Sequence, residues 1–244
     1  MSGSSLTDDG SFMTRVVTID GPAGAGKSTV ARRLADRLGW RFLDTGALYR
    51  VVTLAALRRG VDLTSEAALG ELVATLTVSL PPGGVFLDGQ DVTQAIRTVE
   101  VTRSSRFVAD SPSVRRRLNN WQRAFAADHD IVTEGRDQGT LVFPDAFRKY
   151  YLTASAEERA RRRLAEYQAR GESVSFEAVL RDHQERDARD AARALAPMKP
   201  ADDATIIETT GSTIDQVVAR LAEDIQRHLE QSSWGVEGAR RLTS

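Results

Sequence analysis

The feature that most restricts this chain lies close to its start. Gly21-Pro22-Ala23-Gly24-Ala25-Gly26-Lys27-Ser28 fits the pattern G-x-x-x-x-G-K-[ST] and is followed by Thr29. The β-rich run Val16-Val17-Thr18-Ile19 precedes it, and from Ser28 to Leu38 the apolar residues Val30, Leu34 and Leu38 recur at helical spacing. Glycines in a turn between strand and helix let backbone N–H groups curl around a polyphosphate, and the helix N-terminus adds its positive end. Lys27 then reaches the outer phosphates and the Ser28 hydroxyl is offered to Mg²⁺. An ordinary glycine-rich turn does not require lysine and serine at these two positions.

The rest of the chain alternates in the same way. Arg41-Phe42-Leu43, Ile131-Val132-Thr133, Tyr150-Tyr151-Leu152 and Thr205-Ile206-Ile207 are short strand candidates with helical segments between them. That alternation predicts an α/β fold with a parallel five-stranded sheet covered by helices. Residues 77–95 break it: Thr77-Val78-Ser79-Leu80 and Val85-Phe86-Leu87 flank Pro81-Pro82-Gly83-Gly84, and Asp88-Gly89 is a second turn signal. A small antiparallel meander inserted into the core is expected there. After it, Ser111-Pro112 reads as an N-cap and first-turn pair, with Val114, Leu118, Trp121 and Phe125 as the apolar stripe of a helix. Helical spacing also runs from Phe176 to Leu195, placing Arg186, Asp190 and Arg193 at i, i+4 and i+7 on one face. On spacing alone, such a strip is either a solvated face with helical ion pairs or a substrate contact. Residues 1–14 and a stretch from about Gln231 to Ser244 read as loose tails.

Composition narrows the classes of partner. With 33 Lys+Arg against 34 Asp+Glu, the formal net charge is −1, which argues against a broad surface for a nucleic-acid polymer. Cysteine is absent, so thiol nucleophiles, disulfides and Cys-ligated metals are excluded. No run approaches a membrane span and the first residues lack a signal-peptide pattern, so a soluble, cytoplasmic protein is expected, with a monomer expected from the lack of a long exposed apolar stripe. Only three of the basic residues are lysines (Lys27, Lys149, Lys199), and one of them occupies the phosphate-gripping turn. The arginine excess reflects either coding bias or the use of the planar two-pronged guanidinium to grip phosphates and carboxylates.

A turn of this kind serves several enzyme classes. No lysine follows an asparagine, as a base-reading N-K-x-D motif would need, and no apolar strand ends in adjacent Asp-Glu. A small-molecule kinase remains. Four further blocks carry a resemblance: Leu43-Asp44-Thr45-Gly46-Ala47-Leu48-Tyr49-Arg50; Ile96-Arg97-Thr98-Val99-Glu100-Val101; Glu134-Gly135-Arg136-Asp137-Gln138-Gly139-Thr140 with Phe143-Pro144-Asp145-Ala146; and Arg186-Asp187-Ala188-Arg189-Asp190-Ala191-Ala192-Arg193. Together with Gly21–Thr29 they resemble the bacterial cytidylate kinases, in order, from about Val16 to His228. These enzymes move a phosphoryl group from ATP to CMP or dCMP.

The resemblance implies a P-loop fold with a core at 15–44, 96–155 and 194–230, a monophosphate-binding region at 45–95 that carries the meander, and a lid at 156–193. It implies ATP and Mg²⁺ as cofactors, with Gly21, Pro22, Ala23, Gly24, Ala25, Gly26, Lys27, Ser28 and Thr29 around the ATP phosphates and Ser28 at the metal. Among Arg159, Arg161, Arg162 and Arg163, it assigns Arg159 to ATP. Arg50 and Arg136 would hold the CMP phosphate, and Thr45 and Tyr49 would line its pocket. Arg115 and Asp137 would read the cytosine edge, the carboxylate facing the amine and the guanidinium the acceptors. Arg186, Asp190 and Arg193 would contact substrate, with Lys27, Arg136, Arg186 and Arg193 as the catalytic cations. A related kinase acting on UMP, AMP or a small hydroxyl acceptor such as shikimate is the alternative; a nucleotide-binding regulator without chemistry is disfavoured by the presence of Lys27 and Ser28. Two positions depart from the family pattern. Arg106 stands in Arg106-Phe107-Val108-Ala109 where relatives carry a sugar-contacting serine, which bears on CMP against dCMP. Gln138 replaces a more usual apolar residue; its amide bonds Asp137 or the base, or is satisfied inside the turn.

Overall fold

The computed structural model describes residues 14–81, 83–169 and 171–242. Five parallel strands form the central sheet: β1 (Val16–Asp20), β2 (Arg41–Asp44), β6 (Ile131–Glu134), β7 (Arg148–Thr153) and β8 (Thr205–Glu208), in the order β2-β6-β1-β7-β8. All five expected strands are present. β1 is central because β6 and β7 pair with it on either side, Ile19 opposite Glu134 and Asp20 opposite Tyr151, and both its faces are covered: Val17 and Ile19 are buried on one and Thr18 and Asp20 on the other.

The sheet separates two apolar cores. On one face α1 (Lys27–Leu38) and α8 (Ile214–Leu242) cover Val17, Ile19, Val132, Tyr150, Leu152 and Ile207. On the other, α2 (Thr45–Arg58), α3 (Glu66–Thr75), α4 (Val99–Asp110) and α5 (Pro112–Ala127) pack around Leu43 and Ile131. Helix α5 starts as expected, with the Ser111 side chain accepting from the Val114 amide and Pro112 in the first turn. Its stripe divides between fully buried Val114 and Leu118 and partly buried Trp121 and Phe125.

The meander is a three-stranded antiparallel sheet of β3 (Val78–Ser79), β4 (Phe86–Leu87) and β5 (Gln90–Asp91). Leu87 pairs with Gln90 across a two-residue turn in which Asp88 and Gly89 both have positive φ, the conformation that a tight hairpin twist selects. Helices α6 (Ala156–Ala169) and α7 (Phe176–Ala192) form a hairpin between β7 and β8.

Two sequence expectations differ from the observed fold. Helix α7 ends at Ala192, so Arg193 is its C-cap with φ −58° and ψ 129° and does not continue a helical face. The chain turns back there: the Met198 amide takes the Asp190 carbonyl at 2.8 Å, and Ala196 adopts positive φ. The stretch from Gln231, expected as a loose tail, continues α8 as far as Leu242. The expected tail at 1–14 lies, except for Thr14, outside the described residues. Among the described residues no helix is long and apolar enough to cross a membrane.

Candidate active site

The C-terminal ends of β1, β2 and β6 lie side by side, because Ile19 and Asp44 both pair in register with Glu134. Each strand end therefore delivers its next residues to one cleft, the usual ligand position in a parallel sheet. From β1 comes the turn Gly21–Gly26, from β2 the start of α2 with Thr45, Tyr49 and Arg50, and from β6 the segment Gly135-Arg136-Asp137.

Gly21, Gly24 and Gly26 all have positive φ, and Gly26 caps α1 in the left-handed region, so the loop curls as a phosphate cradle requires. Lys27 is buried and its Nζ donates to the Pro22 carbonyl at 2.7 Å. Burial, then the neighbouring Arg136 guanidinium, pull its ammonium down to about 7, with Arg186 adding to the effect and Glu134 and Asp20 opposing it. Arg186 is lowered to about 10 by burial and by Arg136 and Arg50, and burial also lowers Arg50. Mutually repelling cations drawn from α1, α2, the β6 turn and α7 constitute a site built for an anion of high charge.

The base-reading candidates are in contact. Arg115 of α5 and Asp137 are both buried and hydrogen-bonded to each other; Arg115 also donates to the Ala109 carbonyl at 3.2 Å and lies 5.8 Å from the Tyr49 ring centroid. Burial raises Asp137 above the usual carboxylate range, while Arg115 opposes that rise. Asp190 is buried between two arginines, pairing with Arg136 Nε at 3.1 Å and Arg193 at 2.9 Å. Arg193 also pairs with Asp110 at 2.8 Å, so ion pairs hold it at the cleft although it lies beyond the helix. Arg50 donates to Thr102 Oγ1 at 2.8 Å, and Thr45 Oγ1 to the Glu134 carbonyl at 2.6 Å. Arg159 is buried and committed to protein groups, donating to the Ala23 and Ala154 carbonyls, each at 3.0 Å, and pairing with Asp187 at 2.6 Å. Thr29 is exposed on α1.

Both departing residues make local contacts. Gln138 is buried at the start of a short π-helical turn from Gln138 to Val142, and its Oε1 accepts from Thr133 Oγ1 of β6 at 3.1 Å. Arg106 is exposed, its guanidinium 4.6 Å from the Phe107 ring centroid.

Two site residues escape sequence reasoning. Glu134, at the end of the strand adjoining β1, is buried and its Oε1 accepts from Ser28 Oγ at 3.0 Å; burial raises its carboxyl, with Lys27 opposing. A carboxylate ending an apolar strand was the available signal, but its importance depends on β6 lying next to β1. Asp20 accepts from the amides of Gln138 at 3.0 Å and Gly139 at 2.8 Å, tying the phosphate loop's strand to the segment bearing Arg136 and Asp137.

No group of three or more His, Cys, Asp or Glu able to hold a metal occurs among the described residues. The hard-oxygen pair of Ser28 and Glu134 beside the phosphate loop instead suits Mg²⁺ shared with nucleotide phosphates, since that ion keeps water and phosphate ligands and takes one or two protein oxygens.

A parallel sheet with helices on both faces, a glycine-rich loop ending in Lys27-Ser28 and a cation-lined cleft define a P-loop kinase. The chain belongs to the cytidylate kinase family, whose sequence profile matches residues 17–227. It is 49% identical over 227 residues to the cytidylate kinase of Pseudomonas aeruginosa, covering 91% of this chain and 97% of that protein. It is also 49% identical over 220 residues to the cytidylate kinase of Vibrio cholerae, covering 88% and 98%. Among solved structures, an uncharacterized protein from Eubacterium ventriosum matches with a TM-score of 0.53 at 13% identity, covering 88% of this chain and 99% of that one; this likeness concerns the fold alone.

Proposed function

We propose that this kinase transfers the γ-phosphoryl group of ATP to the phosphate of CMP or dCMP, giving ADP and CDP or dCDP. The observation that carries this reading is the buried Arg115 and Asp137 pair at the acceptor end of a cleft lined by Lys27, Arg50, Arg136 and Arg186. Cytosine offers an amine donor beside ring acceptors, which suits a carboxylate next to a guanidinium. Uracil has a carbonyl in place of the amine and would set an acceptor against Asp137.

In this reading the loop Gly21–Gly26 holds the ATP phosphates by backbone amides, and Lys27 leaves the Pro22 carbonyl for the outer phosphates. The incoming anion restores the ammonium that burial and Arg136 depress. Ser28 and Glu134 are the residues that would hold Mg²⁺, directly or through water, and the ion would supply neutralisation of the charge on the transferring phosphoryl group. Arg50 and Arg136 grip the acceptor phosphate, and Asp190 holds Arg136 and Arg193 in register. The acceptor phosphate is already anionic, so catalysis consists of alignment and charge neutralisation. Residues 156–193 act as a lid that excludes water, the enzyme acts as a monomer, and its compartment is the cytoplasm.

A coupled assay of ADP formation with CMP, dCMP, UMP and AMP, at fixed ATP and Mg²⁺, tests the assignment. The highest kcat/KM is expected for CMP or dCMP. Turnover of UMP or AMP at equal or better efficiency would remove it.

A further inference from the structure

One buried side chain at the edge of the cleft has no place in this scheme. His183 of α7 is 4% exposed, and its Nδ1 has no hydrogen-bond partner. Its Cε1, the ring carbon bonded to Nδ1, lies 2.8 Å from where a Cβ on Gly24 would stand, and the Arg159 Cβ and carbonyl oxygen lie 2.9 and 3.1 Å from the same point. The imidazole thus fills the space that the missing side chain of Gly24 leaves, in the middle of the phosphate loop. Next to it, Arg159 donates to the Ala23 carbonyl at 3.0 Å and pairs with Asp187, one helical turn beyond His183, at 2.6 Å. The α6–α7 hairpin therefore meets the loop at two successive residues, Ala23 through a guanidinium and Gly24 through an imidazole.

The charged groups that face His183 are Arg159 from α6 and Asp182, Arg186 and Asp187 from α7; Gly24 of the loop contributes none. Asp187 pairs with Arg159 through Oδ2, while its buried Oδ1 has no hydrogen-bond partner; with Asp182 it favours a proton on His183, and burial and Arg159, the two largest effects, outweigh them. A proton on His183 would set a second cation beside the Arg159 guanidinium in a buried seam.

We propose that His183 is a positioning residue: as a neutral imidazole it seats the α6–α7 hairpin on Ala23-Gly24, and its protonation unseats the hairpin and weakens ATP binding. The proposal rests on the reading of Gly21–Ser28 as the ATP-phosphate loop. Burial, then Arg159, holds the seated imidazole below its ordinary value of 6.5. The unseated form takes its proton near that ordinary value. Seating is therefore at full strength above 6.5 and declines as pH falls through 6.5 toward the lowered value.

The test is steady-state kinetics of the full chain from about pH 5.5 to 8, varying ATP at saturating CMP and then CMP at saturating ATP, for wild type, His183→Gln and His183→Lys. On acidification the KM for ATP of wild type is expected to rise roughly three- to ten-fold more than that of His183→Gln, which is polar but does not titrate. The KM for CMP should follow the same course in both. His183→Lys should show the raised KM for ATP already at neutral pH. Superimposable KM profiles for wild type and folded His183→Gln overturn the proposal. Should the variants fail to fold, imidazole NMR of wild type decides, with the His183 signal assigned by elimination using His129→Gln and His228→Gln. Its titration midpoint should fall further when a non-hydrolysable ATP analogue is added, and an unchanged midpoint counts against the proposal. Failure of the loop reading itself would look different: Lys27→Met would then retain wild-type turnover.

Discussion

Arg115 and Asp137, 22 residues apart in sequence, form a hydrogen-bonded ion pair with side chains only 7% and 8% exposed. The two base-reading candidates thus neutralise each other before any nucleotide arrives. Removing one partner does two things at once: it alters base recognition and strands a buried charge. Asp137→Ala is expected to cost about 3 to 5 kcal/mol of stability because Arg115 keeps its charge without its partner. Asp137→Asn retains a hydrogen-bond acceptor and should cost less. Its preference for CMP over UMP should fall by about ten-fold, since an amide can turn either a donor or an acceptor toward the base. Kinetics with both acceptors and urea unfolding of both variants check this; unchanged CMP/UMP selectivity in Asp137→Asn would remove Asp137 from the base-reading role.

The Ser28 and Glu134 contact at 3.0 Å leads to a second expectation. Glu134→Gln keeps an oxygen for the Ser28 hydroxyl and loses the negative charge. Turnover should drop by about 10²- to 10³-fold and the Mg²⁺ concentration for half-maximal rate should increase, as expected when an anionic group stabilising the metal and transition state is lost. The melting temperature should be unchanged or higher, because burial already disfavours the ionised carboxyl. Mg²⁺ titrations of the rate and a thermal melt provide the measurement. A fall in rate that follows only a fall in melting temperature would assign Glu134 to the fold instead.

Asp20 gives a pH dependence with a definite sign. Burial raises its carboxyl from 3.8 to about 6, against the opposing hydrogen bonds from the Gly139 and Gln138 amides. In the interval between those values the folded chain binds a proton that the unfolded chain has released, so this group's contribution to stability falls as pH rises from about 4 to about 6 and is level above that. Asp20→Asn abolishes this slope. Urea unfolding at half-unit pH steps should show the stability difference between wild type and variant changing through that window; a constant difference would mean that Asp20 does not titrate there.

Much of this was readable in the chain. The five strands of the sheet, the meander and the phosphate loop each rest on local signals: β-branched runs, turn dipeptides and fixed glycine spacing. Residues whose meaning depends on neighbours distant in sequence were not legible. Glu134 matters because β6 pairs with β1, and strand order is a tertiary outcome. Arg193 reaches the cleft through Asp190 and Asp110 and not through helical periodicity, because the turn closed by Met198 ends α7 first. Arg159, expected at ATP, bonds the Ala154 carbonyl and the loop's Ala23 carbonyl and pairs with Asp187, contacts that spacing along α6 does not reveal.

Lys27 carries the last prediction. It is buried, its ammonium is lowered to about 7, and Arg136 and Arg186 both disfavour its charge. In the free enzyme the charged lysine is therefore held at a cost, offset in part by Glu134, Asp20 and the Pro22 carbonyl. Lys27→Met, close in length and apolar, should leave the melting temperature of the free protein unchanged or raised by a few degrees, a shift corresponding to about 1 kcal/mol. The same change should reduce turnover by at least about 10³-fold, because it removes the cation proposed to meet the outer phosphates in the transition state. Binding of CMP, followed by calorimetry, should change far less. A variant that melts well below wild type and loses CMP affinity in proportion to its rate would mean that Lys27 serves the fold and not the transferring phosphate.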